Sequence, residues 1–239
     1  MSKVVSSHEP ANPSGMAGVP PLTLAEPDIA PGPLPRYEQR SYRVMKRMFD
    51  IVMALLGLLV FFPVFLLVGL VVLTSDGLPI FFRHRRYGFG GKEFYIYKFR
   101  SMRKDAEQIL ERDPALKEQF LKGFKLQNDP RLIRFGKFLR SSSLDELPQF
   151  INILKGEMSV VGPRPIMDGE QERYGEAYKY YTAMVPGCAG LWQCSGRSQV
   201  DYQTRIEYTK EYYYYASIRR DMLILWRTIL AVLRRDGAQ

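Results

Sequence analysis

The pattern of the chain is dominated by one stretch: no charged side chain occurs between Ile51 and Ser75. Such a run is long enough for a helix to cross a bilayer. Pro63 lies at its middle, where it removes an i→i−4 hydrogen bond and kinks a helix. Arg40, Arg43, Lys46 and Arg47 precede the run, and Arg83, Arg85, Arg86 and Lys92 follow it. The positive-inside rule therefore draws both ends to the cytoplasmic side. A proline-broken, re-entrant helix satisfies both observations. A kinked spanning helix is the alternative that periodicity leaves open.

Residues 78–82 read as a short strand and 87–92 as a glycine turn. Strict alternation at the end of 94–100 then predicts a β-hairpin. Tyr95, Tyr97 and Phe99 fall on one face, Lys98 and Arg100 on the other. That basic face is either solvated or a phosphate-binding edge. The turn has neither the spacing nor the context of a Walker or dinucleotide loop. Residues 101–125 carry Met102, Ala106, Ile109 and Leu110 at helical spacing, and 132–139 predict a short helix. A helix ending at Lys155-Gly156 and a strand over 158–161 follow. At the far end, Met222, Leu225, Trp226, Ile229 and Leu233 line one side of a helix over 221–233, with arginines around it. It either packs on the core or lies in a membrane interface. The first 38 residues hold eight prolines by position 35 and few large apolar side chains, so they predict a disordered tail. With no apolar central run, that tail is not a secretory signal.

Charge and titratable residues narrow the chemistry. The chain has 34 basic and 25 acidic residues, a formal +9. That suits nucleic acid, anionic lipid or a phosphorylated substrate. Its two cysteines, Cys188 and Cys194, match no zinc spacing, and its two histidines leave little for histidine-based catalysis. Carboxylates, lysines and arginines are the remaining candidates. Asp145 and Glu146 stand side by side in the stretch 141–149. Ser143 and Glu146 have capping-box spacing, which places Asp145 in a first helical turn, where the dipole keeps a carboxylate ionised. Ordinary capping explains the same residues. Arg164 is held between Pro163 and Pro165, stiffly presented either to an anion or to a buried ion pair.

Lys98-Phe-Arg-Ser-Met102, Ser143-Leu-Asp-Glu-Leu-Pro-Gln149 and Gly162-Pro-Arg-Pro165, in that order behind a proline-broken apolar run, resemble the bacterial sugar transferases, the monotopic polyprenyl-phosphate hexose-1-phosphate transferases. The resemblance runs from about Lys46 to the C-terminus. It implies a helix-rich α+β (α/β) monotopic membrane protein: a tail over 1–38, a basic lead-in and re-entrant helix over 39–76, and a cytosolic catalytic domain over 77–239 with interfacial helices. The implied reaction passes a sugar-1-phosphate from a UDP-sugar to undecaprenyl phosphate. It releases UMP through a phospho-aspartyl intermediate, with Mg2+, at the cytoplasmic face of the bacterial inner membrane.

By the same resemblance Asp145 is the nucleophile and Glu146 its metal-binding partner, with both carboxylates on Mg2+. Lys98, Arg100, Arg140 and Arg164 bind phosphate, and Arg86, Gln149 and Arg197 complete the candidate set. Anionic lipid is an expected partner and nucleic acid is not. Monomer or homodimer is left open. Many members carry Ser-Pro at the membrane break, whereas this chain has Phe62-Pro63. The long segment between Met102 and Asn128 resembles members that use UDP-galactose or UDP-glucose. No multi-span region of the kind found in larger members precedes the match. A non-catalytic scaffold of a polysaccharide assembly is the rival reading.

Overall fold

The computed structural model describes residues 35–123, 126, 129–195 and 200–233. Helix α1 (Arg40–Asp76) is followed by an antiparallel hairpin of β1 (Phe81–Tyr87) and β2 (Glu93–Phe99). Its turn uses Gly90 and Gly91 at positive φ, which glycine adopts without steric cost. Then come α2 (Ala106–Arg112), α3 (Pro114–Gly123), α4 (Gly136–Ser141) and α5 (Gln149–Lys155). Strand β3 (Ser159–Val161) pairs in parallel with β4 (Gly187–Ala189), and between them lie α6 (Glu170–Tyr174) and α7 (Tyr178–Thr182). Finally α8 (Tyr202–Tyr215) and α9 (Ile218–Leu233) pack back on the core. Among the described residues the architecture is helix-rich α+β with two small sheets.

Three expectations change. The apolar run holds no break: Pro63 lies inside one continuous α1. A proline costs a helix one hydrogen bond and a local clash, yet the residues on either side of Pro63 remain helical. The helical stretch after the hairpin divides at Asp113 into α2 and α3, because Pro114 opens a new helix, a position where its missing N–H costs nothing. The tail also ends sooner than expected. Arg36–Glu38 form a 3-10 turn with Tyr37 buried, and the Tyr213 hydroxyl donates to Glu38. The remainder of the tail lies outside the described residues.

α1 is anchored to the domain at both ends. Near its start, Lys46 donates to Asp50 at 3.1 Å and pairs with Asp221 of α9 at 3.2 Å, all three almost fully buried. Asp50 also accepts from Ser159 Oγ and the Val160 amide of β3, and Asp221 accepts from Tyr42 and Tyr212. Arg47 caps the last carbonyls of α5, donating to Ile153 at 2.5 Å and Leu154 at 2.7 Å, where the helix dipole favours a cation. Gly57 lets α5 sit close, since a Cβ there would meet the Phe150 ring at 2.6 Å. At the other end, Val68 and Val72 pack with Phe99, Ile133 and Leu139. Between these anchors α1 is bare. Leu59, Val60, Phe62, Leu66, Leu67 and Leu70 are all more than half exposed, and only 11% of the most apolar stretch is buried.

Replacing Lys46 with methionine strands two buried carboxylates, a loss typically worth about 3–5 kcal/mol. Thermal unfolding of K46M in detergent is expected to show that loss. A melting curve within error of wild type would mean that the buried triad contributes nothing.

Candidate active site

The carboxylate pair sits on a tight reversal of the chain. Ser143 adopts a left-handed conformation (φ 57°) between α4 and a 3-10 turn over Leu144–Glu146. It is the one non-glycine residue with positive φ among the described residues, and such strain gathers at functional sites. The capping box does not form. In this conformation Ser143 contributes its carbonyl to the Glu146 amide, its side chain caps nothing, and Glu146 turns instead to Lys98. Leu144 and Leu147, on either side of the pair, pack onto the cluster that Val68 and Val72 of α1 share with Phe99, Ile133 and Leu139. The turn that carries the acids is thus joined to the long helix through that shared cluster.

Asp145 is buried, with 7% of its surface exposed. Burial, then the neighbouring Glu146 charge, push its pKa up to about 6, while Lys98 and Arg140 pull it partly back. The helix dipole therefore does not hold it low, as its place in a first turn had implied. Glu146 goes the other way. Burial acts against its charge too, but Lys98, donating at 2.5 Å, and then Arg164 and Arg86 outweigh it, leaving Glu146 below the usual range. One carboxylate is thus neutralised by a fixed cation, and its neighbour is raised.

Lys98 reaches the site because it shares a face of the hairpin with Arg86 and His84. The register pairs Phe82 with Lys98, His84 with Ile96 and Arg86 with Phe94, and residues opposite one another project to the same side. Arg86 is nine-tenths buried or more, with its Nε unpartnered. Burial, then the Arg164 charge, lower its pKa to about 10. His84 Nδ1 lies 3.2 Å from Arg86, and burial together with Arg86, Lys98 and Arg164 lowers its pKa as well. Arg140, the last basic residue of α4, donates to Ser101 Oγ at 3.0 Å. Gln149 is buried at the start of α5, and its side chain accepts from the Cys188 thiol at 3.4 Å.

The structure therefore gathers Asp145, Glu146, Lys98, Arg86, Arg140, Arg164 and Gln149. It does not bring Arg100 to them. The Arg100 guanidinium donates to the Asp76 carboxylate at 2.5 Å and to the carbonyls of Asp76 and Gly77, closing the end of α1. The strand ends at Phe99, so alternation no longer governs Arg100. Arg197 lies outside the described residues. Sequence reasoning missed His84 as a neighbour of the site. The period-2 alternation from Arg86 back to His84 carried that signal.

The donor set fits a hard divalent cation. Two adjacent carboxylates offer oxygen ligands, and the repulsion that adds to burial in raising Asp145 is what a bound cation would relieve. Among the described residues no third acid, histidine or cysteine joins them. The remaining ligands would be substrate phosphates and water, the usual arrangement for Mg2+.

A family model for bacterial sugar transferases matches residues 41–235. The chain is 46% identical to the undecaprenyl-phosphate galactose phosphotransferase of Salmonella typhimurium over 204 residues, covering 84% of this chain and 43% of that protein. It is 44% identical to exopolysaccharide production protein ExoY of Rhizobium meliloti, covering 81% of this chain and 87% of ExoY. It is 40% identical to the UDP-glucose:undecaprenyl-phosphate glucose-1-phosphate transferase of Escherichia coli K12, covering 78% of this chain and 40% of that protein. The chain thus spans less than half the length of the Salmonella and Escherichia relatives. A match over most of the chain, which takes in the carboxylate turn and the cations around it, establishes that the chain belongs to the bacterial sugar transferase family.

Proposed function

We propose that the chain transfers a hexose-1-phosphate from a UDP-sugar to undecaprenyl phosphate, releasing UMP, as a membrane step of exopolysaccharide synthesis. The observation that carries this reading is the buried Asp145 beside the Lys98–Glu146 pair, ringed by Arg86, Arg140 and Arg164. More cations than carboxylates line the site, so it is built to receive anions. The names of the Salmonella and Escherichia relatives supply undecaprenyl phosphate as acceptor, and galactose or glucose as the sugar.

Asp145 acts as the nucleophile. Its carboxylate oxygen attacks the phosphorus that bears the sugar, and the bond from that phosphorus to the bridging oxygen breaks. UMP departs with the oxygen, and sugar-phosphate remains on Asp145. A phosphate oxygen of the lipid then attacks the same phosphorus, the Asp145–phosphorus bond breaks, and the carboxylate returns as the lipid diphospho-sugar forms. Two substrates thus use one site in turn, which predicts ping-pong kinetics. Lys98 orients Glu146, while Arg86, Arg140 and Arg164 offset the charge that gathers around the phosphates. Mg2+ on Asp145 and Glu146 would supply further charge neutralisation.

Membrane placement follows from α1. Its two ends are fastened to one domain, Lys46 to Asp221 and Asp76 to Arg100, so both basic flanks belong on one side. The bare apolar middle enters the bilayer and the site lies at headgroup depth on the cytoplasmic face, the domain's positive charge facing anionic lipid.

Asp145→Asn is expected to lower UMP release on the order of 10^3-fold or more while raising the melting temperature. A carboxyl whose folded pKa lies above its unfolded value stabilises the fold only at low pH. That stability is lost as pH rises through about 6, each tenfold difference in proton affinity between folded and unfolded chain being worth ~1.4 kcal/mol. Full UMP release by D145N would remove Asp145 from the nucleophile's role.

Wild-type UMP release is expected to fall as pH drops through about 6, following protonation of Asp145. Lys98→Met removes a cation that favours the ionised form, so the acid limb should move to higher pH. A limb that stays in place or moves down would dissociate it from Asp145.

Cysteines introduced at Arg43 and Arg83, on the two flanks of α1, should both react with an impermeant thiol reagent from the cytoplasmic side. Labelling from opposite sides would show a spanning helix.

A further inference from the structure

The cations around the carboxylates are not held alike. Lys98 is paired with Glu146, and Arg140 donates to Ser101 Oγ. Arg86, with 5% of its surface exposed, has no acid within ion-pair distance among the described residues. One Nη donates to the Pro165 carbonyl at 3.4 Å, and the other lies 3.2 Å from His84 Nδ1. Glu170 and Glu146 act on it only from farther off. Burying a charge is costly unless an opposite charge or good acceptors compensate it, so the two neutral groups that hold Arg86 carry the whole of that task.

The contact fixes the state of the imidazole. A guanidinium donates and has no acceptor, so the atom that meets it must carry a lone pair. Nδ1 is therefore unprotonated, the proton of the neutral ring is on Nε2, and Nε2–H points away from Arg86. The surroundings favour the same state. Burial, then the charges of Arg86, Lys98 and Arg164, lower the pKa of His84, and Asp168, itself bonded to Arg85 and Tyr87, offsets them only in part. His84 shares its face of the hairpin with Arg86 and Lys98, and its ring lies 5.9 Å from that of Phe82.

A neutral partner and an acidic one do different things to a buried guanidinium. A carboxylate in place of Nδ1 would bind Arg86 more tightly and cancel its charge, as Glu146 does for Lys98. An imidazole accepts the hydrogen bond and leaves the charge standing. We propose that His84 is a positioning residue of the anion site: as a neutral acceptor it fixes the Arg86 guanidinium while leaving its positive charge for the phosphates of the donor. The inference deepens the UDP-sugar reading above, on which it relies only for the identity of the anion. Arg86 is thereby in place before the anion arrives, with no acid to be displaced when it enters.

Three substitutions of nearly one shape separate the two parts of this role, because asparagine, aspartate and leucine put an oxygen, a charged oxygen or a methyl where Nδ1 stands. Each is measured in the detergent-purified full chain by calorimetric titration with inorganic pyrophosphate in metal-free buffer, by thermal unfolding and by UMP release. His84→Asn should stay close to wild type in all three. His84→Leu, lacking the acceptor, should lower pyrophosphate affinity and kcat/KM on the order of tenfold and lower the melting temperature. His84→Asp should raise the melting temperature and yet weaken pyrophosphate binding on the order of tenfold or more, since its charge faces the anion. A residue that served only the fold would make affinity follow stability, so the opposite movement in His84→Asp is the diagnostic result. The proposal falls if His84→Asn binds as weakly as His84→Leu, or if His84→Asp binds as well as His84→Asn. It also falls if nitrogen NMR of the two histidines, His8 and His84, shows a proton on Nδ1 of His84 at neutral pH. Wild type with no affinity for pyrophosphate would remove the anion site and this role with it. Wild type and variants that bind pyrophosphate in the expected order but release UMP from no UDP-sugar would overturn the transferase reading and leave the role of His84 in place.

Discussion

The buried contact between Lys46 and the carboxylates of Asp50 and Asp221 is the constraint on which the remaining arrangement depends. It joins the first third of α1 to the last helix and, through Asp50, to β3. Buried ions are costly unless every partner is in place, so the triad admits one arrangement of these three elements. With the start of α1 fixed there and its end fixed by Arg100, the positions of α5 and the carboxylate turn follow. Gly57 receives Phe150, and the second half of α1 shares with Phe99, Ile133 and Leu139 the cluster that receives Leu144 and Leu147.

The site built on this frame is electrostatically unfinished. Asp145 and Glu146 repel each other, while Arg86 and His84 are lowered by burial and by the charges of the cations around them. Each sign is crowded, and the cations come from separate stretches of chain: the hairpin, the end of α4 and the proline-flanked loop. Only the assembled fold opposes them to the acids. An anion of several charges lying across the site would relieve the crowded cations, and the diphosphate of the proposed donor is such an anion; the acids call for a cation instead. The raised pKa of Asp145 would share its origin with the reactivity proposed for it, since a poorly solvated carboxylate is destabilised before it attacks.

Much of this was legible in the sequence, and the part that was not has physical causes. The hairpin follows from alternation and glycine punctuation, although its first strand lies at Phe81–Tyr87 rather than 78–82. The strand at 159–161 is present. The helix ending at Gly156 starts only at Gln149, a 3-10 turn standing where the carboxylates were expected to begin it. The pairing of Asp145 with Glu146 was visible as adjacency, and Lys98 as a strand residue. Their contact was not, because forty-eight positions separate Lys98 from Glu146 and only tertiary packing closes that interval. Local rules failed where packing overrode them. Ser143 matched a capping pattern, but the left-handed turn that aims Asp145 toward the cations takes its side chain out of that role. Arg100 matched the basic face of a strand that had already ended. Pro63 was expected to interrupt the helix, and the helix continues through it.

The shared cluster that joins Leu144 and Leu147 to Val68 and Val72 has a mechanical consequence. The acids between those leucines are tied to the height of the helix, so α1 serves as a ruler as well as an anchor. With α1 lodged in a bilayer as proposed, Asp145 would be carried at a set level above the hydrocarbon, and a lipid phosphate at that level would meet it without leaving its leaflet. Selection of the proposed acceptor would then be a matter of altitude and headgroup, decided above the hydrocarbon rather than within it.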